Sequence, residues 1–236
     1  MLCKIADLIT DIPDTGGLAP RVRDYLWESD SPPDIVIRES DFRPNAWKGI
    51  PYDLYCYMES GVHFYANLLH YNGMMLHASA VAYEGRAYLF SGPGGIGKST
   101  HTGLWKKVFG ERAVVINDDK PALRFLDGRW YAYGTPWCGK DGINANLRVP
   151  LAGICFLEQG DHNDLTFLTA REAIPLVIAQ TICGFKKSEK AYYLLQNMET
   201  LLREIPICKM MNQPNEAAVQ LGYENMLRLA MERGLN

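Results

Sequence analysis

The chain has 236 residues, 47% of them hydrophobic, and a formal net charge of −3, a length and composition that suit one α/β domain with an appended lobe and a real core. The charge offers no global positive field for a polyanion, so nucleic acid is not expected as a partner. The longest apolar stretches, around 151–157 and 174–178, fall far short of the roughly 20 residues that span a bilayer, and Asp7 interrupts the apolar run a signal peptide needs; the reading is a cytoplasmic protein with no membrane partner.

In chain order, residues 1–70 read as a small irregular N-terminal lobe. Short candidate strands over 4–10 and 35–38 are broken by Pro13, Pro20, Pro32, Pro33 and Pro44. Its last element, 52–69, carries apolar residues at 54, 55, 58, 62, 65 and 68/69, near the helical period. No repeat or Gly/Ser-rich linker divides the chain, and residues 71–236 form the expected catalytic unit. Strands are predicted over 76–83 and 86–90 around a Glu84-Gly85 turn, then a helix over 98–108. A strand at 113–117 and a hairpin over 122–126 and 129–133, turned at Asp127-Gly128, come next. The last third reads as strands at 151–158 and 165–168 and a helix opened by Thr169 and Glu172 as a capping box. A helix over 189–204, a strand at 207–211 and a final helix capped by Asn215 follow. Interleaved strands and helices predict an α/β fold. Six scattered cysteines without a C-x-x-C pair argue for reduced thiols rather than a zinc knot or redox motif.

The strand ending at Phe90 runs into Ser91-Gly92-Pro93-Gly94-Gly95-Ile96-Gly97-Lys98-Ser99-Thr100, a full match to the phosphate-binding loop G-x-x-x-x-G-K-[ST]. Gly92, Gly94, Gly95 and Gly97, with Ile96, let backbone N–H groups turn inward around phosphates. The following helix, from Lys98 through Thr100, presents the positive end of its dipole. Lys98 is expected to reach the β- and γ-phosphates, and the Ser99 hydroxyl to ligate magnesium. Lys106 and Lys107 need no substrate, because cations in a last helical turn complement the dipole.

The next strand delivers Asp118 and Asp119 at its C-terminal end, where ligands sit in α/β sheets. Two adjacent acids can divide the work, one holding magnesium and the other accepting the proton of an attacking hydroxyl. A polar strand end turning into solvent is the plainer alternative. Pro121 and the hairpin after it depart from the ordinary plan, in which a helix follows the acid-bearing strand.

Leu76-His77-Ala78, the loop 91–100, Ile116-Asn117-Asp118-Asp119 and Gly134-Thr135-Pro136-Trp137-Cys138-Gly139-Lys140 together resemble the HPr kinase/phosphorylase and phosphoenolpyruvate carboxykinase superfamily over about 74–221. The nearest likeness is to its small kinase-like members, which include lasso-peptide kinases. The resemblance implies a P-loop kinase core with a mixed sheet and hairpins. Asp118 would be the catalytic base, Asp119 part of the magnesium site, and His77 would lie beside the acids and orient Asp118. Lys140 would neutralise transferring phosphate; taken alone, His77 fits a structural histidine and Lys140 an exposed turn lysine. The segment Lys140-Asp141-Gly142-Ile143-Asn144 departs from the Arg-Gly-x-Gly-Ile stretch associated with phosphorylase activity, which puts the reverse reaction in doubt.

The expected function is therefore transfer of the γ-phosphoryl group of ATP, or another purine triphosphate, with Mg2+, to a serine-type hydroxyl of a peptide, protein or free serine. A slow nucleotide-hydrolysing regulatory module and a carboxykinase-type lyase are the alternatives. The acceptor is expected to dock between Asp118, His77 and the loop 135–140, and the superfamily leaves a homo-oligomer open.

Overall fold

The structure, a computed structural model, describes residues 1–44, 48–182 and 188–235. β1 (Leu2–Ile5) and β2 (Leu8–Asp11) form a hairpin where the sequence predicts one strand over 4–10. Ala6 and Asp7 both take positive φ, 51° and 59°, the two-residue turn that matches strand twist and that usually advertises itself with glycine or asparagine. β3 (Ile35–Val36) adds to β2 in parallel and completes a small three-stranded sheet. α1 (Tyr52–Leu68) then buries Cys56, Phe64, Tyr65 and Leu68 on one side.

The predicted strand over 76–83 begins two residues later, at Ala78, and a short strand that was not predicted precedes it. β4 (Gly73–Met75) and β5 (Ala78–Tyr83) pair with different neighbours, and His77 sits in the break between them. β6 (Arg86–Ser91) returns beside β5 through Glu84 and Gly85, at φ 48° and 73°. α2 (Lys98–Phe109) carries Lys106 and Lys107 in its last turn, as the dipole favours. β7 (Val114–Asn117) is followed by the predicted hairpin of β8 (Ala122–Leu126) and β9 (Arg129–Tyr133). β10 (Arg148–Gln159) is longer than expected. After β11 (Asp164–Phe167), α3 (Ala170–Ala179) opens on Thr169 and Glu172 with both capping-box bonds formed. α4 (Ser188–Glu204), β12 (Ile207–Asn212) and α5 (Glu216–Glu232) complete the chain, the Asn215 side chain capping the Ala218 N–H at 3.0 Å.

The main sheet runs β4-β8-β9-β10-β6-β5-β7, with β12 and then β11 added along the second half of β10. β10 is parallel to both β6 and β12, and the remaining pairs are antiparallel, so the fold is mixed α/β. The β10–β6 register shifts between Leu151 and Gly153. One face buries Leu89, Ile154 and Phe156 with Val177 and Leu201 from α3 and α4. The other buries Tyr88, Phe90 and Cys155 with Trp105 from α2 and Val219 and Met226 from α5.

A third cluster joins the N-terminal residues and α1 to Ala122, Tyr133 and Trp137. Polar bonds reinforce it: Arg124 Nη1 donates to the Ala6 carbonyl at 2.6 Å, and the Asp7 carboxylate accepts from Tyr133 at 2.8 Å and pairs with Arg148 at 3.1 Å. Cys3, Cys56, Cys138, Cys155 and Cys208 are free thiols; Cys183 lies outside the described residues. Among the described residues no helix is long and apolar enough to cross a membrane.

Candidate active site

Three adjacent strands set the site. Ala78 faces Ser91 across β5–β6, and Ala80 faces Asn117 across β5–β7. The glycine-rich loop after β6, His77 before β5 and the acids after β7 therefore meet at one edge of the sheet. The Ser91 hydroxyl donates to the His77 carbonyl at 2.9 Å, and the Ala78 N–H to the Asp119 carbonyl at 3.1 Å.

Within the loop, Gly92, Gly95 and Gly97 take φ of 144°, 80° and 104°, conformations that penalise a Cβ. Gly97 is the N-cap of α2 and has no side chain to close it, so first-turn N–H groups are left for an anion. Apart from chain neighbours, nothing lies within 4 Å of a Cβ built at Gly94, Gly95 or Gly97, so the loop borders open space there. Lys98 is buried, and its Nζ donates to the Gly92 carbonyl at 2.9 Å and the Pro93 carbonyl at 3.1 Å. Burial lowers its pKa while the Asp119 carboxylate opposes the shift, so the loop lysine and the acid feel one another directly. Ser99 and Thr100 are exposed on the first turn.

The two acids differ sharply. Successive residues at a strand end point to opposite sides, and Asp118 turns inward under the loop 135–140, where its Oδ1 accepts the Gly139 N–H at 2.7 Å. Burial pushes its carboxyl upward, the Gly139 bond opposes that, and the charge of Asp119 adds to it. Asp119 accepts from His77 Nε2 at 3.1 Å and from the Lys120 ammonium. Burial would raise its pKa, but the His77 hydrogen bond and Lys120 outweigh burial and hold it far below the usual carboxylate range. The expectation that His77 orients Asp118 is therefore corrected: His77 contacts Asp119, and the Gly139 backbone orients Asp118. Gln180 fixes the other side of the imidazole, Nδ1 to Oε1 at 2.8 Å.

Asn117, fully buried, ties these pieces together. Its Nδ2 donates to the Thr135 carbonyl and hydroxyl, both at 3.1 Å, and to the Trp137 carbonyl at 3.2 Å. Its Oδ1 accepts the N–H groups of Asp119 at 2.9 Å and Lys120 at 2.7 Å. From α1, the Tyr57 hydroxyl bonds the Cys138 carbonyl and the Tyr65 hydroxyl the Thr135 hydroxyl, each at 2.8 Å. Trp137 stacks on Phe64 and passes so close to Gly61 that a Cβ there would meet its ring at 2.8 Å.

Lys140 is not gathered in: it is exposed on a turn closed by the Gly142 N–H on the Gly139 carbonyl at 3.1 Å. The ammonium beside the acids is that of Lys120. Asn117 and Lys120 flank the acid pair in sequence, so the run Asn-Asp-Asp-Lys was the signal for both; Tyr57, Tyr65 and Gln180 carry none. A recess of about 110 Å³ opens between Tyr57, Met58, Gly61, Val62, Lys120 and Trp137. A larger cavity of about 420 Å³ adjoins Gly92, Pro93 and Ile96, walled by Phe156, Leu157 and Leu176.

Among the described residues no three His, Cys, Asp or Glu side chains could hold a metal ion together. Magnesium makes no such demand, because phosphate oxygens and water supply most of its octahedron and one or two protein oxygens complete it. The strongly ionised Asp119 and the Ser99 hydroxyl suit that donor set, and the open loop suits a polyphosphate.

A family model described as SynChlorMet cassette protein ScmC matches residues 54–211, more than half of the chain. No curated protein matches it. Among solved structures, the Hpr(Ser) kinase/phosphatase from Coxiella burnetii is similar over 67% of this chain and 92% of that one, at 11% identity and a TM-score of 0.38.

Proposed function

We propose that this chain, which belongs to the ScmC family of SynChlorMet cassette proteins, is a P-loop phosphotransferase that uses ATP or another purine triphosphate with Mg2+ to phosphorylate a serine-type hydroxyl of a peptide, protein or amino acid. The observation that carries this reading is the convergence, at the ends of neighbouring strands, of the loop that leads into Lys98 with Asp118 and Asp119, the charge of Asp119 acting on the Lys98 ammonium. A nucleotide-binding loop alone needs no paired acids facing it.

The bound triphosphate and its magnesium would supply the electrophilic phosphorus and the charge neutralisation. The protein's part is placement. Loop N–H groups and Lys98 would hold the β- and γ-phosphates, with Lys98 exchanging two neutral carbonyls for charged oxygens. Asp118, made more basic by burial, would take the acceptor's hydroxyl proton. Asp119, held ionised by His77 and Lys120, would face the cation. Lys120 rather than Lys140 would then stand beside the developing charge, and the recess at Trp137 would receive the acceptor.

Lys98→Ala tests the reading. It should leave the fold intact and abolish triphosphate binding by calorimetry at working nucleotide concentrations. Unchanged affinity in a folded variant would sink the phosphate-loop assignment.

A further inference from the structure

At the opposite end of the central strands from the glycine-rich loop lies a cavity of about 250 Å³, bordered by Arg86, Arg129, Pro150, Ala152 and Leu235. Arg86 opens β6 and Arg129 opens β9, the two strands that flank the first half of β10. Ala87, Trp130 and Leu151 pack on the α3–α4 face, so strand alternation sends Arg86, Arg129 and Ala152 to the α5 face. The register shift of β10 between Leu151 and Gly153 falls between the two arginines. Such an irregularity locally disrupts the ladder and re-aims side chains.

The guanidinium groups are poorly provided for. Among the described residues Arg86 Nε is buried with no hydrogen-bond partner, and its Nη1 reaches only the Glu84 carbonyl at 3.5 Å. Among the described residues the Arg129 side chain makes no hydrogen bond or ion pair. The nearby Glu84 carboxylate is turned to Arg112 at 3.3 Å and Tyr223 at 3.1 Å. A buried donor without a partner is costly, and two guanidinium groups that border one cavity repel unless an anion lies between them.

We propose that this cavity is a second binding site, separate from the phosphate loop, for a small organic anion: an oxyanion head, carboxylate or phosphate monoester, gripped by Arg86 and Arg129, with a short apolar body against Pro150, Ala152 and Leu235. Planar guanidinium groups recognise either head bidentately. The apolar wall distinguishes the ligand from an inorganic ion.

The test is titration of the full chain with benzoate, phenyl phosphate and neutral benzyl alcohol, followed by backbone amide NMR and repeated in Lys98→Ala to silence the phosphate loop. At least one of the two anions should shift the amides of Gly85, Ala152 and Leu235, benzyl alcohol should not, and the tighter anion identifies the head group. Arg129→Ala and Arg86→Ala, checked for folding by circular dichroism, should each weaken binding about tenfold or more. Anions that leave these amides unmoved at about 10 mM, a concentration that saturates even millimolar sites, would overturn the site. So would affinity that survives both arginine substitutions, or equal binding of benzyl alcohol.

Discussion

Asp118 and Asp119 share a peptide bond and have opposite ionisation tendencies, one raised by burial and the other lowered by His77 and Lys120. A base and a cation ligand should fail differently. Asp118→Asn is expected to keep nucleotide affinity and lose turnover by about 10²-fold or more, whereas Asp119→Asn should raise the magnesium concentration needed for half-maximal rate. Gly139 gives a second handle on the base, since a Cβ there would sit 2.6 Å from Asp118 Oδ2. Gly139→Ala should therefore mimic Asp118→Asn in turnover without touching the carboxylate chemically. Steady-state kcat for Lys120→Ala and Lys140→Ala separates the two lysines: the first should fall the further, and the reverse order would restore Lys140 to the site.

At the level of the element, α2 does more than present Lys98. Its His101 is fully buried against Phe90, ring centroids 4.2 Å apart, with Nδ1 3.2 Å from Asn212 Oδ1 and Nε2 unpartnered. Burial lowers its pKa to about 4 and the Asn212 bond only partly opposes it. In the unfolded chain the imidazole takes up its proton near 6.5, so the unfolded state binds more protons between about pH 6.5 and 4. The stability contributed by a neutral His101 is thus complete above pH 6.5 and lost progressively down to pH 4, by about 3 kcal/mol in all. Urea unfolding of the wild type and His101→Gln at both ends of that window should show the gap between them closing as pH falls. Elements such as α2 were legible because caps, turns and periodicity act over a few residues. The glycine-rich loop, the turns at Glu84 and Asp127 and the capping box at Thr169 all belong to that class. The Ala6-Asp7 turn was not, as neither residue is a usual turn former. Asn117 stood in the run beside the acids, but its tying role did not show, because its partners Thr135 and Trp137 lie 18 and 20 residues on. His77 does lie beside the acids, but the carboxylate it contacts is Asp119 rather than Asp118, because which carboxylate faces β5 depends on strand register, which spacing does not encode.

For the molecule as a whole, one apolar cluster runs from the N-terminal sheet through α1 to Trp137, and Tyr25 reaches Asn144 in the loop beside the acids at 2.8 Å. Thermal unfolding should therefore show a single transition shared by probes in residues 1–50 and in the main sheet. A chain lacking residues 1–50 should lose the order of the 135–147 loop, which limited proteolysis would detect. The bonds of this cluster also carry a timetable. Ala6 waits for Arg124, 118 positions later, and Asp7 for Arg148, 141 positions later. At ribosomal rates of 5–20 residues per second, the hairpin of β1 and β2 spends roughly 6–28 s without these two arginines. Its apolar partners Leu18, Tyr25 and Ile35 arrive much sooner, so the hairpin can cover Cys3, Ile5 and Leu8 early, while the Ala6 carbonyl and the Asp7 carboxylate stay in water until the main sheet is made, and late locking of the N-terminal lobe onto that sheet is the consequence.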